Sequence, residues 1–179
     1  MEFSTCSPDS AEEIQQLFTK TFTDSEGLSE GLLIGNLARD LLDSDDHDEI
    51  QCFVATEADQ IIGCIFFSRL TFERERVNAF LLSPVAVHTD FQGRGIGQKL
   101  INFGLNALSH AGVLLVFTYG DIRFYAKVGF EKIDERVVKA PLKLSFPEGW
   151  LGQSLVADEI QALNGNSVCV EALNQPEYW

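Results

Sequence analysis

Residues 78–111 restrict the fold more than any other stretch of this chain. An apolar run rich in β-branched residues leads into Gln92-Gly93-Arg94-Gly95-Ile96-Gly97, and an apolar periodic run follows. The first part predicts a buried strand. Pro84 falls inside it and interrupts the hydrogen-bond ladder, because proline has no N–H to donate. After the glycines, Ile96, Leu100, Phe103, Ala107 and Leu108 recur at helical spacing, which predicts an amphipathic helix. The unit is strand, glycine loop, helix.

Such a unit suits phosphate. The first backbone N–H groups of a helix lack internal partners, and the helix dipole places partial positive charge there. Gly93, Gly95 and Gly97 have no Cβ to hold a ligand away from the backbone, and Arg94 adds a cation. The dinucleotide fingerprint would need a third glycine where Gln98 stands, and a P-loop would end in Gly-Lys-Ser/Thr. A plain tight turn would use the same glycines.

The string itself narrows the choice. Gln92, Gly95 and Gly97 fill the defining positions of Gln/Arg-x-x-Gly-x-Gly/Ala, and the segment resembles motif A of the GNAT superfamily of N-acetyltransferases. Thr89 stands where that family usually has proline. Further on, Tyr125, Gly129 and Phe130 resemble the family's second signature, Tyr-x-x-x-Gly-Phe. The two occur in order and at the expected separation, and the likeness runs over residues 1–134. Leu-Ser-Pro-Val-Ala-Val and Tyr-Gly-Asp-Ile-Arg-Phe-Tyr are most similar to the bacterial YhbS-like subgroup.

The resemblance implies a mixed α/β fold: a mostly antiparallel sheet, splayed at its middle strand, with helices on both faces, in one domain over residues 1–179. It implies acetyl-CoA as co-substrate, no metal, and transfer of the acetyl group to a primary amine by direct attack in a ternary complex. By the same resemblance Val85, Ala86 and Val87 pair with the pantetheine arm, and a backbone N–H near Val85 faces the thioester oxygen. Gln92, Gly93, Arg94, Gly95, Ile96 and Gly97 hold the pyrophosphate, and Tyr125 is the general acid. Many relatives carry a glutamate on the central strand; residues 79–83 here hold no carboxylate. Glu73, Glu75, His88 or a water relay through Ser83 are the alternatives for the base. A non-catalytic acyl-CoA-binding or sensing module on the same fold is the competing reading. The acceptor expected is a small molecule or a peptide, with neither nucleic acid nor membrane as partner and a homodimer left open.

The net charge of −14 argues against nucleic acid, whose phosphates attract basic surfaces. It agrees with a cationic substrate, and equally with a role in solubility. Arg94, Lys99, Arg123 and Lys127 are the basic residues available to an anionic cofactor. Residues 1–13 lack the basic and apolar regions of a signal peptide, and no apolar run approaches a membrane span, so a cytoplasmic protein is expected. Cys6, Cys52, Cys64 and Cys169 are widely spaced among apolar residues and read as buried free thiols.

For the remaining elements the sequence predicts a strand over 3–7, then a helix capped by Ser10 and Glu13 with Ile14, Leu17, Phe18 and Phe22 on its apolar face. A second helix is expected over 28–42, on Leu33, Leu37 and Leu41, weakened by Gly31 and Gly35. The acidic run 43–49 with His47 reads as a solvated loop, metal binding being the alternative. Strands are expected over 51–56 and 61–70 around an Ala58-Asp59 turn, with 73–76 as an exposed charged hairpin end. Then come a buried run over 113–118, a short helix over 122–128 closed by Gly129, and a strand from Phe130. The tail is expected as a strand over 142–146, a helix over 155–163 and a strand over 167–172. Trp150 is placed in the core and the terminus at Tyr178 and Trp179 is expected to fray, with lining of the substrate site as the alternative.

Overall fold

Ala58 and Asp59 both adopt positive φ, at 50° and 62°. Two such residues make the turn that matches the twist of a tight hairpin. They join β2 (Ile50–Glu57) to β3 (Gln60–Phe72). The computed structural model describes residues 1–44 and 48–179. The expectations for His47 and the centre of the acidic run lie outside the described residues.

The chain forms two compact units: residues 1–66 with 84–104, and residues 67–83 with 105–179. Strand β3 and strand β4 (Ala79–Val87) each pass from one unit into the other, as does α3 (Ile96–His110). The fold is the expected mixed α/β one: helices beside a sheet whose one parallel pair, among those with a described register, is β4 with β5 (Leu115–Tyr119).

In the first unit, β1 (Glu2–Thr5) pairs antiparallel with β2, Phe3 lying opposite Ala55. Helices α1 (Ala11–Glu26) and α2 (Leu28–Leu42) follow, separated by Gly27 at φ 99°. Ile14, Leu17, Phe18 and Thr21 form the buried face of α1, with the Phe18 ring 5.8 Å from that of Phe66. The capping box does not form. Ser10 makes no side-chain cap, and the Glu13 carboxylate instead accepts the backbone N–H of Ile61 at 2.8 Å. Long-range satisfaction of a strand end has displaced the local motif.

The buried face of α2 is Gly31, Ile34, Gly35, Leu37, Ala38 and Leu41, with Leu33 only half-buried. The two glycines sit where α1 comes closest. A Cβ at Gly31 would overlap Thr23 Oγ1 and lie 2.5 Å from the Thr19 carbonyl oxygen; one at Gly35 would overlap Thr19 Oγ1. Helix packing therefore accounts for them. On α3 the buried residues include Ile96, Leu100, Ile101, Leu105 and Leu108, whereas Phe103 is exposed and stacks on Phe3 with ring centroids 5.9 Å apart.

In the second unit, β5 pairs with β7 (Trp150–Ser154), and β7 with β6 (Glu131–Lys132), both antiparallel. Strand β8 (Ser167–Val168) pairs antiparallel with the end of β3. Helix α4 (Ile122–Tyr125) continues as a 3₁₀ turn to Val128, and Gly129 closes it in the left-handed conformation at φ 93°, as expected.

The tail differs from expectation. Residues 142–146 and 155–163 carry no strand and no helix, and the last strand is two residues long. The strand present instead is β7, which holds a glycine, Gly152, at its centre. That glycine is required there, since a Cβ would lie 2.8 Å from Ile160 Cδ1 and 3.1 Å from the Phe117 ring. The terminus does not fray either. Trp179 is 4% exposed, donates its indole N–H to the Leu173 carbonyl at 2.9 Å, and accepts the Ser145 hydroxyl at 2.6 Å. Its ring joins a cluster with Tyr119 and Trp150, at 6.2 and 6.1 Å. The aromatic area thus buried outweighs the freedom of a chain end.

Candidate active site

The glycine loop is built in the first unit from the end of β4. The His88 N–H donates to the Ile62 carbonyl at 2.9 Å, holding the strand's exit. A 3₁₀ turn over Thr89–Phe91 follows, and the Gln92 side chain folds back to donate to the Val87 carbonyl at 3.0 Å. Gln92 thus serves to close the loop on the strand. Gly93 and Gly95 take φ of 75° and 73°, conformations that a Cβ disfavours. Space at Gly93 is open, with nothing within 4 Å of where a Cβ would be. Helix α3 begins at Ile96, and its first internal bond runs from Lys99 N–H to the Gly95 carbonyl at 3.1 Å. The N–H groups of the first turn therefore face outward from the loop.

Arg94 is exposed, donates to the Asp90 carbonyl at 3.1 Å, and lies 5.0 Å from the centre of the Phe91 ring. Val85 and Val87 are half-buried and Ala86 is buried. This open, left-handed loop at a fifteen-residue helix start fits a pyrophosphate group, with residues 92–97 the ones that would hold it. Of the other basic residues, Lys99 and Lys127 are exposed, while Arg123 is bound to Asp121 at 2.7 Å.

In the second unit, β4 and β5 run parallel in register from Ala79 opposite Leu115 to Leu82 opposite Thr118, and the described pairing ends there, two residues before Pro84. The Thr118 hydroxyl, fully buried, donates to the Leu82 carbonyl at 2.8 Å. It also hydrogen-bonds with the Tyr125 hydroxyl. Burial pushes the Tyr125 phenol above its ordinary range. Tyr125 packs edge-on against Phe124 at 5.0 Å and Phe130 at 5.7 Å. Thr118 was not singled out by the sequence; a lone threonine in an apolar run is the signal that marks it.

Two of the base candidates, Glu73 and Glu75, are engaged elsewhere. Glu73 accepts the backbone and side-chain N–H groups of Asn166 at 3.1 and 3.0 Å, and Glu75 accepts the Asn164 side chain at 2.8 Å. The Asn166 bonds hold the Glu73 carboxyl below the usual carboxylate range, which weakens it as a base. The stretch read as an exposed hairpin end is thus an anchor for 164–166. His88 Nδ1 accepts the Asp90 N–H at 3.3 Å. All four cysteines are free thiols; three are buried and Cys6 is half-buried. Among the described residues no group of three or more His, Cys, Asp or Glu is arranged to hold a metal.

Residues 48–132 match the acetyltransferase (GNAT) domain family. That stretch of the chain is similar to GNAT domains. The chain is 29% identical over 168 residues to the uncharacterized N-acetyltransferase YjhQ of Escherichia coli K12, covering 90% of this chain and 87% of that protein. The crystal structure of YhbS from Escherichia coli in complex with CoA superposes with a TM-score of 0.80 at 24% identity, over 98% of this chain and 92% of that one. A GNAT acetyltransferase from Brucella melitensis, solved in complex with acetyl-CoA, gives 0.70 at 25% identity, over 96% and 97%. The glycine loop and Tyr125 both fall within the matched GNAT region. No helix among the described residues is long and apolar enough to cross a membrane.

Proposed function

We propose that this chain is a GNAT acetyltransferase, transferring an acetyl group from acetyl-CoA to a primary amine of a small molecule or peptide by direct attack in a ternary complex. The observation that carries the reading is the course of β4. Its described ladder with β5 ends at Leu82, Pro84 then breaks the donor series, and the strand continues into a loop with two left-handed glycines. The likeness to proteins solved with CoA and acetyl-CoA supports the same co-substrate.

In this reading the backbone of Val85, Ala86 and Val87 pairs with the pantetheine arm as an added strand would. A backbone N–H near Val85 stabilises the oxygen of the thioester as charge develops on it. Gln92, Gly93, Arg94, Gly95, Ile96 and Gly97 form the phosphate cradle. A lysine-type amine has a pKa of about 10.4 and must lose its proton to attack. With Glu73 and Glu75 bound to asparagines, His88 or a water relay through Ser83 is left to carry that proton. Tyr125 donates a proton to the departing thiolate. The net charge of −14 draws cationic amines to the protein.

The competing reading is an acyl-CoA-binding module without turnover, favoured by the lack of a carboxylate at residues 79–83. Release of free CoA thiol across a panel of amines, polyamines, aminoglycosides and peptides separates the two. Acceptor-dependent release with a matching acetylated product supports the enzyme. Tight CoA binding with no release from any amine class favours the module.

A further inference from the structure

Helix α1 reaches the segment before the glycine loop at two points. The Thr21 hydroxyl donates to the Val87 carbonyl at 3.5 Å. One turn on, Asp24 Oδ2 accepts the Thr89 hydroxyl at 2.6 Å and the Lys20 ammonium at 2.8 Å. Lys20, Thr21 and Asp24 share a helix face by their spacing of three and four residues. Thr89 opens the 3₁₀ turn: Phe91 N–H donates to the His88 carbonyl at 2.8 Å and Gln92 N–H to the Thr89 carbonyl at 3.3 Å. The loop springs from that turn.

A bare carboxylate beside an anion-binding loop would oppose the ligand. Lys20 removes that cost by pairing with Asp24, while Thr89 uses the same oxygen. Around the pair stand His88, which acts on Asp24, and Asp90, which acts on Lys20. The bonds from Lys20 and Thr89 hold the Asp24 carboxyl below its ordinary range, so it is ionised at neutral pH. Asp24 faces Thr89 and Lys20 and has no need to touch a ligand.

We infer that Asp24 is a positioning residue for the phosphate loop: through Thr89 it fixes the turn from which residues 92–97 depart, and so sets the affinity for the phosphates of CoA. The last clause rests on the function proposed above. The role is one that a rigid residue at position 89 would otherwise fill, and here a side-chain hydrogen bond from a neighbouring helix fills it.

The test uses the full chain with Asp24→Ala, Asp24→Asn, Thr89→Val and Thr89→Ser. Amide hydrogen exchange over residues 88–97 is measured without ligand, CoA affinity by calorimetry, and global stability by thermal unfolding. Asp24→Ala and Thr89→Val are expected to speed exchange in that segment alone and to weaken CoA by about two- to tenfold, the range of one hydrogen bond. Asp24→Asn keeps an acceptor and Thr89→Ser keeps the hydroxyl, so both restore affinity. The double variant Asp24→Ala/Thr89→Val falls no further than either single one. Unchanged exchange in Asp24→Ala overturns the inference, as does an affinity loss that Thr89→Val does not share. Acceleration spread evenly over the chain, with a lower melting temperature, also overturns it by making the role one of general stability. A parent that binds no CoA refutes the proposed function, and exchange over 88–97 then decides the positioning role by itself.

Discussion

Thr118 closes the parallel ladder on Leu82. Its hydroxyl donates to the Leu82 carbonyl at 2.8 Å on the last rung before Pro84. A strand that leaves its neighbour exposes carbonyl groups, and a buried one without a donor costs about 1–3 kcal/mol. Thr118→Val keeps the shape and removes the donor. We expect it to lower unfolding stability by about that amount, read from urea denaturation.

The α1–α2 interface gives a second prediction. Alanine in place of glycine inside a helix ordinarily gains about 1 kcal/mol. At Gly31 the new Cβ would lie 2.5 Å from the Thr19 carbonyl oxygen, which is backbone and cannot rotate away. Overpacking of this kind costs about 1–3 kcal/mol and is expected to exceed the gain. Gly31→Ala should therefore melt below the parent. A rise in melting temperature would show that the helices separate freely.

What the sequence made legible was local chemistry. The strand–loop–helix unit, the Ala58-Asp59 hairpin, helix α2 over Leu28–Leu42 and the Gly129 cap could all be read, because proline, glycine and apolar spacing fix them within a few residues. What it concealed depends on partners far along the chain. Glu13 looked like half of a capping box and instead serves Ile61. Glu73 and Glu75 looked like a solvated end or a base and instead hold Asn166 and Asn164. Strand β7, which lies between the stretches expected as a strand and a helix, was not foreseen, and the terminal tryptophan looked loose until its bonds to Leu173 and Ser145 were seen. Within the candidate site the glycines were visible, whereas the support of Thr89 by Asp24 crosses 65 positions of sequence and leaves no local signal.

The loop gives a third prediction. Gly95 has φ 73°, so a β-branched residue there is strained and also narrows the approach to the first-turn N–H groups. Gly95→Val should weaken CoA strongly while the protein remains folded. Calorimetry on a variant with a parent-like circular dichroism spectrum is the check, and undiminished affinity would remove residues 92–97 from the phosphate site.

Charge gives a fourth. Arg94 lies exposed over Phe91, anchored at the Asp90 carbonyl, and is free to offer its remaining N–H groups to an anion. Its attraction to CoA should be screened by salt despite the acidity of the whole protein. Affinity is expected to fall between low and physiological ionic strength, and the slope to flatten in Arg94→Ala. A flat dependence in the parent together with normal binding by the variant would sink the assignment.

The last prediction assigns Tyr125 the general-acid role. A phenol of ordinary pKa about 10 is already protonated at neutral pH. Burial raises Tyr125 above that, so its acid form persists further into alkali. Sign follows directly: activity that needs the protonated phenol is retained below its pKa and lost as pH rises through it. No falling limb due to Tyr125 is therefore expected between pH 7 and about 9. Tyr125→Phe keeps the ring that packs on Phe124 and Phe130 and removes only the oxygen bonded with Thr118. If Tyr125 supplies the proton to the thiolate, turnover should fall by roughly 10²–10⁴-fold with CoA affinity almost unchanged. The measurement must be made where chemistry limits the rate, confirmed by single-turnover kinetics. Turnover within a few-fold of the parent there would make Tyr125 a packing residue, with the thiolate taking its proton from water.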